Sequence, residues 1–384
     1  MARTRLFSFL ATLIFVLVVG FFASMIARGW RLDTKKFALR PTGLLVATSI
    51  PDGAQILING ELESATNATI SLPPDTYDVE IKKDTFISWK KRLTIKKEEV
   101  TKVDVLLFPT APSFSPLTFN GALIPVLSPD GTKVAYAQTT GLWIMDLADL
   151  PIGFSKEPRQ VTDSTLADST WQWSPDSRQI LVRSGTKSAF LLATAVLTPQ
   201  NKLINIEGQQ LIEVLAEWKD QEAKKTQNKL AKVPAQMQDF LGRKTISLAF
   251  SPDDNKVLYQ TSASALIPEN LIPSLPGSST QKQDRDIKIG KTYIYDIKED
   301  RNFFIEEDPT KHPVWFPTSN HVVLAEDGKI TIIDYDGTNR QIVFSGPYEA
   351  PYAIPFPNST RLLILTKLGA GNGNLPNLYS LSLK

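Results

Sequence analysis

A short turn recurs along the C-terminal two-thirds of this chain and limits its possible folds more than any other feature. It reads VLSPDG at 126–131, QWSPDS at 172–177 and AFSPDD at 249–254, with weaker copies WFPTSN at 315–320 and PFPNST at 355–360. Proline presets φ, aspartate accepts bonds from the amides that follow it, and glycine tolerates positive φ. Each copy precedes an apolar strand (KVAYAQ, QILVRS, KVLYQT, HVVLAE, LLILTK) and then a second (GLWIMDL, SAFLLAT, TYIYDIK, ITIIDYD, NLYSLSL). Two such runs around a tight turn read as a hairpin. Five in series make a repeat.

Neighbouring copies at either end of the series stand about 40–46 residues apart, the length of one four-stranded propeller blade. We expect a mainly β chain whose residues 109–384 form a five-bladed β-propeller, interrupted twice. A helical insertion at about 205–243 carries Leu211, Val214, Leu215 and Trp218 at helical spacing. Pro234 suits the first turn of a second helix bearing Met237, Phe240 and Leu241. A loop insertion at about 264–290 is rich in proline and polar residues. The last copy ends at its third strand, while PSFSPLTF at 112–119 has no blade of its own. That segment is expected to supply the missing strand and tie the ends together.

Leu6 to Ile26 is a run of 21 residues without a charge. As a helix it spans a bilayer core of about 30 Å. The run exceeds a normal signal-peptide core, and Met25 spoils a small-x-small cleavage site before Ala27. An uncleaved transmembrane anchor over 1–27 is expected. Residues 28–41 form a basic juxtamembrane linker with Arg28, Arg31, Lys35, Lys36 and Arg40, and with Trp30 placed to rest among anionic headgroups. Only Arg3 and Arg5 precede the helix, so a positive-inside count puts the C-terminal side in the cytoplasm.

Residues 42–108 contain GLLVATS, AQILING, YDVEIKK, KRLTIKK and KVDVLLF, short runs of alternating apolarity joined by turns. They read as a small antiparallel sandwich. The stretch resembles a PEGA domain: Pro51-Asp52-Gly53-Ala54 stands at the naming tetrapeptide, Asn59-Gly60 at an inter-strand turn and Tyr77-Asp78-Val79 at the central strand. Asp75 and Thr85 stand where glycines are usual. The Ser-Pro-Asp-Gly copies resemble the TolB-type propeller repeat. Anchor, PEGA-like unit and propeller together resemble membrane-bound PEGA proteins of small-genome bacteria. The resemblance implies an extracytoplasmic, cell-envelope location, against the charge count, and brings no catalytic residues.

The chemistry available is narrow. The chain has no cysteine and only His312 and His321, which excludes disulfides, thiolate nucleophiles and His-rich metal sites. A net charge of +2 gives no ground for a nucleic-acid partner. There is no G-x-S-x-G elbow and no phosphate loop. The glycine-rich GAGNGN at 369–374 reads as a hairpin tip. Asp130, Asp176 and Asp253 read as turn aspartates, and Glu306-Glu307-Asp308 as a solvated turn. A glycan-cleaving or carbohydrate-binding propeller is the alternative, and cleavage needs two carboxylates about 5–9 Å apart. Trp143, Trp171, Trp173 and Trp315 fit packing between blades. Trp218 either docks on the propeller or faces a partner, so Trp218, Phe240 and Leu241 are the candidate partner-binding residues. The reading is a non-enzymatic, membrane-anchored binding or scaffold protein without cofactor or metal. Its ligand is a protein or a cell-wall polysaccharide.

Overall fold

The computed structural model describes residues 2–27, 29–33, 38–148, 157–166, 169–185, 188–368 and 375–384. Arg28, Lys35 and Lys36 of the basic stretch and the glycine-rich segment 369–374 lie outside the described residues. The chain divides into two compact units, one of Met1–Leu107 with Pro273–Lys282, the other of Phe108–Ile272 with Gln283–Lys384.

The first unit opens with α1 (Ala2–Ala27), whose apolar span Phe7–Ala27 buries nothing against the protein. A hairpin of β1 (Trp30–Asp33) and β2 (Ala38–Pro41) follows directly. Gly29, at φ +89°, makes the turn between helix and hairpin, its amide closing on the Ile26 carbonyl at 3.0 Å. The Thr42 amide donates to the Gly29 carbonyl at 3.2 Å, and the Thr42 hydroxyl bonds the same oxygen. Seven strands then divide between two sheets: β3 (Gly43–Ile50), β4 (Gln55–Ile58), β5 (Glu61–Ala65), β6 (Ala68–Leu72), β7 (Asp75–Lys82), β8 (Trp89–Ile95) and β9 (Val100–Leu106). The sheet orders are β6-β3-β9, with β3 and β9 parallel, and β5-β4-β7-β8. Alternate residues face inward, as the period of a strand requires. Leu45 and Ala47, Ile56 and Ile58, Val79 and Ile81, and Trp89, Leu93 and Ile95 form one core. Full burial of each large side chain is worth about 1.5–3 kcal/mol.

Residues 273–282 complete this unit from far along the chain. The Thr94 amide donates to the Thr280 hydroxyl at 3.2 Å, and the Gln281 side-chain amide donates to the Arg92 carbonyl at 2.7 Å. These bonds occupy the outer edge of β8, which would otherwise be open to pairing. Gly277, at φ +75°, donates its amide to the Glu99 carboxylate at 3.0 Å, and a Cβ there would lie 2.5 Å from the Val100 carbonyl. Only glycine fits.

The second unit has a β-propeller fold; among the described residues it holds five sheets of three or four strands and one two-stranded hairpin. The first sheet holds β11 (Leu123–Leu127), β12 (Lys133–Gln138), β13 (Gly141–Asp146) and β14 (Arg159–Thr162), after β10 (Phe114–Pro116). The second holds β15 (Ser169–Trp173), β16 (Gln179–Ser184) and β17 (Ser188–Ala193). The helices α2 (Gln209–Leu230) and α3 (Ala235–Arg243) come next. The third sheet holds β18 (Thr245–Phe250), β19 (Lys256–Thr261), β22 (Thr292–Asp296) and β23 (Arg301–Glu306), with a small hairpin of β20 (Ala265–Leu266) and β21 (Asp286–Ile287) between β19 and β22. The fourth is β24 (Val314–Trp315), β25 (His321–Glu326), β26 (Lys329–Asp334) and β27 (Gln341–Ser345). The fifth takes β28 (Ala353–Pro355), β29 (Arg361–Thr366) and β30 (Asn377–Ser382), and its outer strand is β10, paired antiparallel to β30. The segment 112–119 therefore supplies the strand that the last repeat lacks. Three pairs of neighbouring sheets share apolar seams: Ala135, Ile144, Trp171 and Val182 join the first and second, Leu258, Ile294, Val322 and Ile333 the third and fourth, and Tyr136, Met145, Leu363 and Leu378 the first and fifth.

The recurrent turn explains itself in these terms. The Ser128 hydroxyl bonds Asp130 Oδ1 at 2.6 Å and accepts the Lys133 amide at 3.0 Å, while Asp130 Oδ1 also accepts the Thr132 amide at 3.0 Å. Ser174–Asp176 and Ser251–Asp253 repeat the arrangement. The fourth turn residue is left-handed in all five copies: Gly131, Ser177, Asp254, Ser319 and Ser359 have φ of +70°, +60°, +57°, +61° and +60°. The two weak copies keep the backbone while losing the sequence.

Candidate functional site

The propeller contains a cavity of about 570 Å³ between its innermost strands. Pro125, Val126 and Leu127 of β11 line one wall, Val314 and Trp315 of β24 another, and Ala353–Pro355 of β28 a third. Val323, Ala325 and Tyr352 fill in the surface, and Thr310, Lys311 and His312 form a polar end. Each of these three strands is an edge strand of its sheet and directly precedes a recurrent turn. Val314 leaves 46% of its surface open. The Trp315 indole N–H donates to the Ala249 carbonyl at 2.9 Å, which fixes the ring while one side stays accessible. Trp173 makes the matching bond to Val126 at 3.0 Å, but is buried.

Electrostatically the cavity is quiet. Lys311 reaches Glu326 at 2.8 Å, and that hydrogen bond holds the ammonium above its usual pKa. Burial, and then the nearby Glu349 charge, raise the Tyr352 phenol. Both groups keep their ordinary neutral-pH forms. Among the described residues no carboxylate lines the cavity. A second cavity of about 230 Å³, lined by Leu248, Tyr259 and Gln260, shares Lys311 and His312 with the first. Such a site offers shape, aromatic surface and a few donors, the features of a binding pocket.

The carboxylates singled out in the sequence are engaged elsewhere. Burial by itself would raise Asp130, but hydrogen bonds from Ser128 and Thr132 and the Lys133 charge bring its pKa down to about 2. Asp253 is likewise brought to about 2, against burial, by Ser251, Asn255 and Lys256. The bond from Ser174 lowers Asp176. A general acid for glycoside cleavage needs a raised pKa; these three run the other way. Glu306 pairs with Arg340 at 3.3 Å, Glu307 with Lys291 at 2.8 Å, and Asp308 bonds Thr310. Among the described residues no cluster of three or more histidine or acidic groups could hold a metal.

Residues 42–111 match the PEGA domain. Within the PEGA domain Gly53 lies at φ +66° and Asn59-Gly60 at +52° and +86°, so the motif turns use the left-handed region. The Asn59 side chain also accepts the Asp78 amide at 3.0 Å, joining the turn to the central strand. Thr85 takes φ +69°, a conformation glycine would adopt without strain. No curated protein matches the chain. Among solved structures it is similar to a structure assigned as TolB from Agrobacterium tumefaciens, at 13% identity over 67% of this chain and 72% of that one, with a TM-score of 0.22. It is also similar to the β-propeller domain of Cps50 (Swd1) from Myceliophteria thermophila, at 10% identity over 71% and 100%, TM-score 0.32. TolB from Acinetobacter baumannii matches at 11% identity over 81% of this chain and 60% of that one, TM-score 0.23. The propeller assignment rests on the strand pairings above.

The candidate partner-binding residues lie inside the propeller unit. Trp218 of α2 is buried with Leu181 and Ala189 of the second sheet. Phe240 meets Tyr259 edge to face at 5.6 Å, and Leu241 packs with Met237, Val257 and Ile287. Lys229 of α2 pairs with Asp254 at 2.7 Å, so the helix also reaches the third recurrent turn. The cavity residues Val314, Tyr352 and Pro125 carry no signal in the sequence; Trp315 stands out there as a packing residue and His312 as one of two histidines.

Proposed function

We propose that this chain is a non-enzymatic, membrane-tethered binding protein of the cell envelope. α1 holds it in the bilayer, the PEGA domain follows, and the propeller grips an apolar segment of a partner protein in the cavity lined by β11, β24 and β28. The observation that carries the reading is the cavity itself: Val314, Trp315 and Tyr352 open into it, and among the described residues no carboxylate lines it. Buried apolar anchors in concave sites supply most binding energy. Trp218, Phe240 and Leu241 serve this site by fixing the inserted helices, and do not themselves touch the partner. The lining and the lowered turn aspartates count against glycan cleavage. The PEGA match supports a location outside the cytoplasm, while the arginines after α1 count the other way; protease shaving of intact cells distinguishes the two. The binding reading is tested by co-purification from solubilised membranes. A specific partner should accompany the native chain and be lost with Val314→Asp, whose charge would be desolvated by a bound apolar segment. Equal recovery with both would refute it.

A further inference from the structure

We infer that the hairpin after α1 is a binding site for the phosphate headgroups of anionic phospholipids, formed by Arg31 and Arg40. The β1–β2 register sets these two residues directly across the ladder, so both side chains leave from the same face of the hairpin. Both are exposed. Like charges directly opposite weaken strand pairing, and Arg31 has no ion pair among the described residues. An anion placed between them can accept hydrogen bonds from both guanidiniums. Arg40 has a further contact in the structure, yet a guanidinium carries five donors and its planar fork matches phosphate.

The source of the anion follows from the position of the hairpin. Two residues separate it from the exposed apolar helix, and Thr42 bonds back to Gly29 at the turn between them. Trp30 is pinned as well: its indole N–H donates to Glu98 at 3.2 Å and Lys97 sits over its ring at 5.0 Å. The arginines are therefore held at the level where a bilayer presents its headgroups. Lys96 and Lys97 on the adjoining turn are already paired, with Glu99 at 3.8 Å and Glu98 at 3.5 Å. Segment 28–41 has five basic residues against Asp33 alone, which favours an anionic surface. The inference rests on α1 lying in the bilayer and is independent of the cavity.

The test uses the full chain in mild detergent, offered equal amounts of phosphatidylglycerol and phosphatidylcholine, with retained lipid counted by native mass spectrometry. Phosphatidylglycerol should be retained preferentially. Arg31→Gln and Arg40→Gln should each weaken that retention roughly fivefold, while Arg31→Lys with Arg40→Lys, which keeps the charge and loses the planar fork, should retain only part of the preference. Circular dichroism of each variant guards against loss of the fold. Equal retention of the two lipids, or undiminished phosphatidylglycerol in the double glutamine variant, overturns the proposal. Displacement of the lipid by excess inorganic phosphate would mark a free-anion site and overturn the lipid assignment.

Discussion

The backbone N–H of Asp130 donates to the Ser177 hydroxyl at 3.1 Å, and that of Asp253 donates to the Ser319 hydroxyl at the same 3.1 Å. Each bond runs from the recurrent turn of one sheet to the left-handed residue of the next turn. Serine at that position, in place of the motif's glycine, therefore links neighbouring sheets. Its backbone pays for positive φ, and its side chain returns a hydrogen bond.

That trade makes a prediction at Ser177. Ser177→Ala keeps the backbone cost and loses the bond, so it should destabilise by about 1–2 kcal/mol. Ser177→Gly loses the bond but relieves the backbone, so its effect should be clearly smaller. Thermal unfolding of the two variants gives the ordering. A glycine variant as damaged as the alanine one would argue against the trade.

Acid should weaken the propeller in a defined window. The folded pKa values of Asp130 and Asp253, about 2, lie below the ordinary 3.8. A lowered carboxylate pKa stabilises the fold above the unfolded value, and that stabilisation fades as pH falls through the folded one. Both groups are partly exposed, so screening leaves on the order of 1 kcal/mol each. Urea midpoints should hold steady above about pH 5 and fall between about pH 4 and pH 2. Ser128→Ala with Ser251→Ala removes the hydroxyl donors and should flatten that fall.

The inserted helix should depend on one side chain. Trp218 leaves 5% of its surface exposed among Leu181, Ala189 and Leu215. Trp218→Ala should cost about 3–5 kcal/mol and free α2, whose many lysines then become trypsin sites. Limited proteolysis followed by mass mapping reads this directly. An uncut helix in the variant would mean that other contacts hold it.

What the sequence disclosed, and what it concealed, divides along the range of the interactions. Turn chemistry and strand alternation are local, so the five repeats were legible even where Ser319 and Ser359 replace glycine. The stray segment around Phe114 was legible because the last repeat carries only three strands of its own, and β10 takes the fourth place. Long-range side-chain bonds left no trace: nothing in PSLPGSSTQK announces that Thr280 and Gln281 bond β8. The apolar stripe through Trp218 reads the same whether it covers its own propeller or a partner. Nor could the cavity be seen, since Pro125, Val314 and Tyr352 belong to three separate repeats and meet only when the sheets assemble. Arg31 and Arg40 become neighbours only through the β1–β2 ladder.

The most direct measurement is photo-crosslinking in intact cells from a photoreactive amino acid at position 314. A gripping cavity predicts one discrete protein adduct from that position, abolished by Tyr352→Asp and not reproduced from the exposed Leu62 of the PEGA domain. No adduct from position 314, or the same adducts from Leu62, would contradict the account.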